Sequence, residues 1–153
     1  MPNKAMERAE LADLIYRSCL LLDDMDIEGF MRLCAPEFRY QICAYSSEIL
    51  KDMLWKDIDK EELRKHLQLV PRHVYDPNPL SRYVYTVAYG DGQANVVTGI
   101  QVFKTQLDGG RTELYAIGRY HDTFRPDGDT ALLTMRKVRL TTRDLGTGSP
   151  IPF

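Results

Sequence analysis

Between Gly118 and Arg143 the chain carries two alternating runs separated by Pro126-Asp127-Gly128-Asp129. Proline and Asp-Gly supply a tight reversal, because glycine accepts the positive φ that such a turn demands. The two runs read as long antiparallel strands joined as a hairpin. Period two puts Leu114, Ala116, Gly118, Tyr120, Asp122 and Phe124 on one face of the first strand. Glu113, Tyr115, Ile117, Arg119, His121 and Thr123 share the other. On the second strand Leu133 and Met135 lead into Lys137 and Arg139, while Leu132, Val138 and Leu140 point the opposite way. Both faces carry apolar residues and both carry charge. Such a hairpin cannot be a free ribbon; it requires a sheet around it and a cover over it.

The segments upstream supply both. Leu11, Leu14, Ile15, Ser18, Cys19 and Leu22 recur at helical spacing and form one stripe. Asp26 is placed to cap a second, short helix carrying Ile27, Phe30, Met31 and Cys34, and Ala35-Pro36 closes it. Phe38 to Ile42 alternates as a first strand. Ser46 to Ile58 is read as either a helix capped at Ser47 or an irregular insertion. Asp59-Lys60-Glu61-Glu62 has the form of a capping box, with Leu63, His66, Leu67 and Val70 following on one face. Beyond Pro71 the period changes to two, giving strands over 84–89, 94–105, 111–123 and 130–142, separated by Gly-Asp clusters. Helices first and long antiparallel strands after predict an α+β chain with its helices on one face of the sheet. Residues 1–153 are expected to form a single domain, with helices over about 6–34 and 59–70, a sheet over about 81–143 and a tail over 144–153.

A net charge of −2 gives no footprint for nucleic acid or an anionic membrane, and no apolar run is long enough to span a bilayer. Neither is expected as a partner. Cys19, Cys34 and Cys43 are odd in number and lack Cys-x-x-Cys spacing, so free thiols in a reducing cytoplasm are expected.

The order of elements resembles the nuclear transport factor 2-like (SnoaL-like, cystatin-like) superfamily. Ile15 to Tyr40 is similar to its helix–loop–helix opening. Within that superfamily, three pieces resemble the small (β) subunit of Rieske-type ring-hydroxylating oxygenases. They are Asp76-Pro77-Asn78-Pro79-Leu80-Ser81-Arg82, Gly118-Arg119-Tyr120-His121-Asp122-Thr123-Phe124-Arg125, and Arg136 to Arg143 with the tail Ile151-Pro152-Phe153. The chain departs from the pattern in being short and in its Ser46–Trp55 segment.

The resemblance implies a cone: a strongly curved antiparallel sheet packed on N-terminal helices. It implies a non-catalytic subunit that partners an oxygenase large (α) subunit, as a homotrimer or within a hetero-hexamer. The Rieske iron–sulfur cluster and mononuclear iron would sit on that partner, with a small aromatic acid or a small sulfonate as substrate. The residues here agree in lacking the ligand sets. No cysteine has a histidine two residues away, and His66, His73 and His121 have no diagnostic spacing.

The competing reading is a stand-alone pocket enzyme, an isomerase, dehydratase or cyclase, using Tyr16, Asp23, Asp24, His73 or Tyr83 as acid–base groups. Each has a plainer role. Asp23, Asp24 and Asp26 suit helix ends, and Tyr16 flanks an apolar stripe. His121 and Asp122 are neighbours on a strand, so their side chains point to opposite faces and form no dyad. A binding or dimerisation module without chemistry is the third reading.

Arginine dominates the final strands, with Arg111, Arg119, Arg125, Arg136, Arg139 and Arg143 against Lys137 alone. Arginine is favoured where carboxylates are gripped or surfaces are joined. Arg82, Arg119, Arg136, Arg139 and Arg143 are therefore expected at a subunit interface. Ile151 and Phe153 join them, as apolar ends of an extended tail docked in a groove on its own sheet or on a neighbour.

Overall fold

The computed structural model describes residues 7–69, 77–90, 94–146 and 153. Helix α1 (Arg8–Asp23) opens the described chain and α2 (Ile27–Leu33) follows it closely. The α1 stripe is buried as expected, through Leu11, Ile15, Ser18, Cys19 and Leu22. The Asp26 side chain accepts a hydrogen bond from the Gly29 amide at 2.9 Å, satisfying an otherwise orphaned donor at the start of α2. Strand β1 (Cys34–Ser46) begins directly where α2 ends. It turns into β2 (Lys51–Asp59), and helix α3 (Lys60–Leu69) follows. The Asp59 carboxylate caps α3 by accepting from the Glu62 amide at 2.9 Å. Four long strands complete the sheet: β3 (Leu80–Tyr89), β4 (Asn95–Thr105), β5 (Thr112–Asp127) and β6 (Thr130–Leu140).

The six strands form one sheet in the order β2-β1-β6-β5-β4-β3. Every neighbouring pair is antiparallel except β1–β6, which is parallel. The Ser46–Ile58 segment, expected as helix or insertion, is instead the β1–β2 turn and most of an edge strand. Its Glu, Leu, Lys and Met content favours helix locally, but pairing with β1 overrides that preference.

The β5–β6 hairpin closes where expected, with Asp127 paired to Thr130 and Gly128 at φ 60° between them. Register shifts in the antiparallel ladders leave Trp55, Val87, Tyr115 and Thr134 as extra residues, and the parallel β1–β6 ladder is interrupted between Cys34 and Arg39. Bulges bend a strand and increase its twist, so they curl the sheet around the helices. They also break the simple alternation. Past the Tyr115 bulge, Leu114 pairs with Phe103 and is exposed, although it has the parity of buried Ala116. Past the Thr134 bulge, Leu133 joins the buried face although Met135 and Lys137 do not.

The inner face packs on α1 and α2 in a single core that includes Ile15, Phe30, Phe38, Tyr40, Ile100, Tyr120 and Val138. At Gly118 the strands approach so closely that a Cβ would lie 2.4 Å from the Arg139 carbonyl oxygen. No helix among the described residues is long and apolar enough to cross a membrane.

Candidate functional site

Two places in the molecule gather polar chemistry, one on each face of the sheet. The first is the interior of the curled sheet. Arg136 on β6 faces Asp122 on β5, with Nε to Oδ1 at 2.9 Å and Nη2 to Oδ2 at 3.0 Å. Both side chains are enclosed, at 1% and 0% exposure. Arg136 Nη2 also donates to the Ser18 hydroxyl of α1 at 3.0 Å, and that hydroxyl donates to the Ile15 carbonyl. The guanidinium lies 4.0 Å over the Tyr120 ring, a favourable cation–π stack in a desolvated site. Burial pushes the Asp122 carboxyl above its ordinary range, while Arg136 pulls against that shift. Burial also opposes the Arg136 charge, but the facing carboxylate overcomes it and the guanidinium holds its proton more tightly than usual. The pair is thus an ionised clasp between hairpin and helix rather than a proton donor.

A second clasp lies nearby. The Arg82 side chain, at 0% exposure, donates from Nη1 to Asp23 Oδ1 at 2.6 Å, and the Arg82 amide donates to the same carboxylate. It ties the end of α1 to the start of β3. The expectation of Arg82 and Arg136 at a subunit surface is therefore corrected: both are enclosed within the chain, because each has an internal carboxylate at bonding distance.

Phe153, expected in a groove on its own sheet or on a neighbour, is enclosed by its own chain. It is 2% exposed, its amide donates to the Tyr40 hydroxyl at 3.0 Å, and its ring stacks on Tyr115 at 6.1 Å. Its groove is on its own chain rather than on a partner. Burial raises the Tyr40 hydroxyl well above its ordinary range, so it stays a neutral hydrogen-bonding group. Ile151 lies outside the described residues.

The described acid–base candidates are not brought together. Tyr16 is 45% exposed on α1, and Tyr83 points outward from β3 with its ring edge-on to Phe103. Asp23 is engaged by Arg82, Asp24 is an exposed residue at the end of α1, and His73 lies outside the described residues. His121 and Asp122 do point to opposite faces, as strand geometry requires. Cys19, Cys34 and Cys43 are free and buried, and burial pushes the Cys34 thiol up to about 12. Among the described residues, no group of three His, Cys, Asp or Glu side chains is placed to hold a metal ion. The donor set of the described residues does not fit a Rieske cluster or a mononuclear iron.

The second place is on the outer face. A cavity of about 500 Å³ is lined by Tyr45, Tyr85, Ile117, Arg119, His121 and Arg139, with backbone from Gly118 as part of its floor. Arg119 pairs directly with Arg139 across the β5–β6 ladder, and His121 with Lys137. Like charges placed opposite one another destabilise a sheet. Arg139 is relieved by Asp52 at 3.0 Å and lies over the Tyr45 ring, whereas Arg119 is exposed with no ion pair among the described residues. Burial, then Lys137 and Arg139, pull the His121 pKa below its ordinary value. Arg143 is exposed beyond β6, and Arg125 forms a surface pair with Glu37. Sequence periodicity identified these outer-face residues, but not the cavity, which needs β1 and β3 as walls.

The model for the family described as "Ring hydroxylating beta subunit" matches residues 17–146. The chain is 36% identical over 164 residues to the methanesulfonate monooxygenase hydroxylase subunit beta of Methylosulfonomonas methylovora, covering 99% of this chain and 91% of that protein. It is 29% identical to the 2-aminobenzenesulfonate 2,3-dioxygenase subunit beta of an Alcaligenes species, covering 97% and 100%. A solved structure of naphthalene 1,2-dioxygenase superposes with a TM-score of 0.71 at 16% identity, over 94% of this chain and 84% of that one, a likeness of fold. Family model and sequence identity both extend over nearly the whole chain, including both clasps and the outer cavity, and so the chain belongs to the ring-hydroxylating oxygenase beta-subunit family.

Proposed function

We propose that this chain is the small, non-catalytic subunit of a multicomponent Rieske non-haem iron oxygenase that acts on a sulfonate in the cytoplasm. The observation that carries the reading is the identity with two beta subunits whose enzymes are named for sulfonates, methanesulfonate and 2-aminobenzenesulfonate. The iron–sulfur cluster and mononuclear iron would be held by the large subunit. This chain would hold large subunits so that the cluster of one reaches the iron of its neighbour. A homotrimer alone, or three small with three large subunits, is the expected assembly.

The interior supports a structural role. The space that a pocket enzyme would keep open is occupied by Tyr40, Tyr120, Phe153 and the Arg136–Asp122 clasp, all enclosed. Co-purification with a large subunit from the native host, followed by turnover of methanesulfonate and 2-aminobenzenesulfonate, tests the reading. Tyr16→Phe, Asp24→Asn and His73→Ala are expected to leave kcat within about twofold, since no bond-making step is assigned to them. A hundredfold loss with intact assembly would overturn it in favour of acid–base chemistry on this chain.

A further inference from the structure

The β1–β2 turn is built in an unusual way. Ser47-Glu48-Ile49-Leu50 are all exposed, with Ile49 at 54% and Leu50 at 74%. Leu50 has φ 53°, in the left-handed region that normally goes to glycine or asparagine. A bulky apolar residue held there, with its side chain in solvent, is costly twice over within a single subunit. Glu48 beside it makes the turn an apolar knob with an acidic flank.

The outer-face cavity is complementary. Tyr85 and Ile117 give it apolar walls, and Arg119 leaves an uncompensated positive charge on its rim in a chain whose net charge is −2. Tyr45, which lines the cavity, pairs with Asp52 at the base of the same turn. The knob therefore adjoins the β1 wall of the cavity.

We propose that the Ser47–Leu50 turn of one copy docks in the outer-face cavity of the next. Ile49 and Leu50 meet Tyr85 and Ile117, and Glu48 faces Arg119. The contact is head to tail, with two different patches meeting, and such contacts close into a ring when the rotation permits. The inference rests on the reading that beta subunits self-associate, and it assigns the surface that does so.

The test is sedimentation velocity of the purified chain and of its complex with the large subunit. Glu48→Arg and Arg119→Glu are each expected to weaken self-association at least tenfold, and combining them in one chain to restore it to within threefold. Leu50→Gly is expected to weaken association by a similar factor while the melting temperature of the dissociated chain stays level or rises, because the strained φ is relieved. Wild-type association that none of these variants changes would overturn the inference and leave the subunit reading standing. Arg119→Glu releasing the large subunit while self-association stood would give the cavity to that partner and also overturn it. A wild-type chain that is monomeric alone and in the complex would remove the subunit assembly as well as the contact.

Discussion

Arg136 and Asp122 form a doubly hydrogen-bonded ion pair across the β5–β6 hairpin, entirely enclosed beneath α1. Burying two charges is costly, and their attraction offsets that cost only while both partners are present. Asp122→Ala should therefore destabilise the fold by about 3–5 kcal/mol, because it strands the Arg136 charge. Arg136→Met with Asp122→Leu should recover most of that loss. Urea unfolding midpoints check both. A single variant as stable as the parent would mean that water reaches the pair.

Gly118 is fixed by backbone proximity rather than by a turn. A Cβ there would sit 2.4 Å from the Arg139 carbonyl oxygen and 2.8 Å from the Leu140 Cα, neither of which can rotate away. Gly118→Ala should cost about 1–3 kcal/mol and loosen the β5–β6 ladder. Amide exchange at Arg139 and Leu140 reports the loosening.

Phe153 packs its ring on Tyr115 and ties its backbone to Tyr40. Phe153→Ala should cost about 3–5 kcal/mol, as truncation of a buried aromatic does. Because the groove belongs to the same chain, the loss should appear as a lower melting temperature at every protein concentration. A melting temperature that changed only where the oligomer dissociates would place the ring at an interface instead.

His121 makes stability fall on acidification. Its pKa is held down by burial and by Lys137, Arg139 and Arg119, with Asp122 pulling weakly the other way. A histidine depressed in the folded state costs nothing above its unfolded pKa of about 6.5. As pH falls below that value the unfolded chain takes the proton first, and folding stability is lost until the folded pKa is passed. His121→Gln should flatten the part of the profile that falls away below about pH 6.5. An unchanged slope in denaturant titrations would show that another group carries it.

Much of the fold was legible because alternation and capping are local. The α1 stripe, the Asp26 and Asp59 caps and the Gly128 turn all follow from neighbours in sequence. What escaped was set at long range. Residues 51–59 become a strand only because β1 offers an edge, and the parallel β1–β6 pairing joins segments far apart. Bulges at Tyr115 and Thr134 reversed faces that strict alternation had assigned to Leu114 and Leu133. Arg136 could have been placed inside, since it shares parity with Val138 and Leu140 and faces Asp122 across the hairpin. Arginine enrichment alone does not separate an internal clasp from an interface. The outer cavity draws walls from β1, β3, β5 and β6, so no single segment announces it.

Metal analysis of the separated subunits tests the central claim most directly. The complex would be co-purified anaerobically, its composition read by native mass spectrometry, and iron and acid-labile sulfide measured on each subunit. The account expects small and large subunits in equal number, with all iron and sulfide on the large one and no sulfonate turnover by this chain alone. Stoichiometric iron on this chain, or turnover without the large subunit, would contradict it.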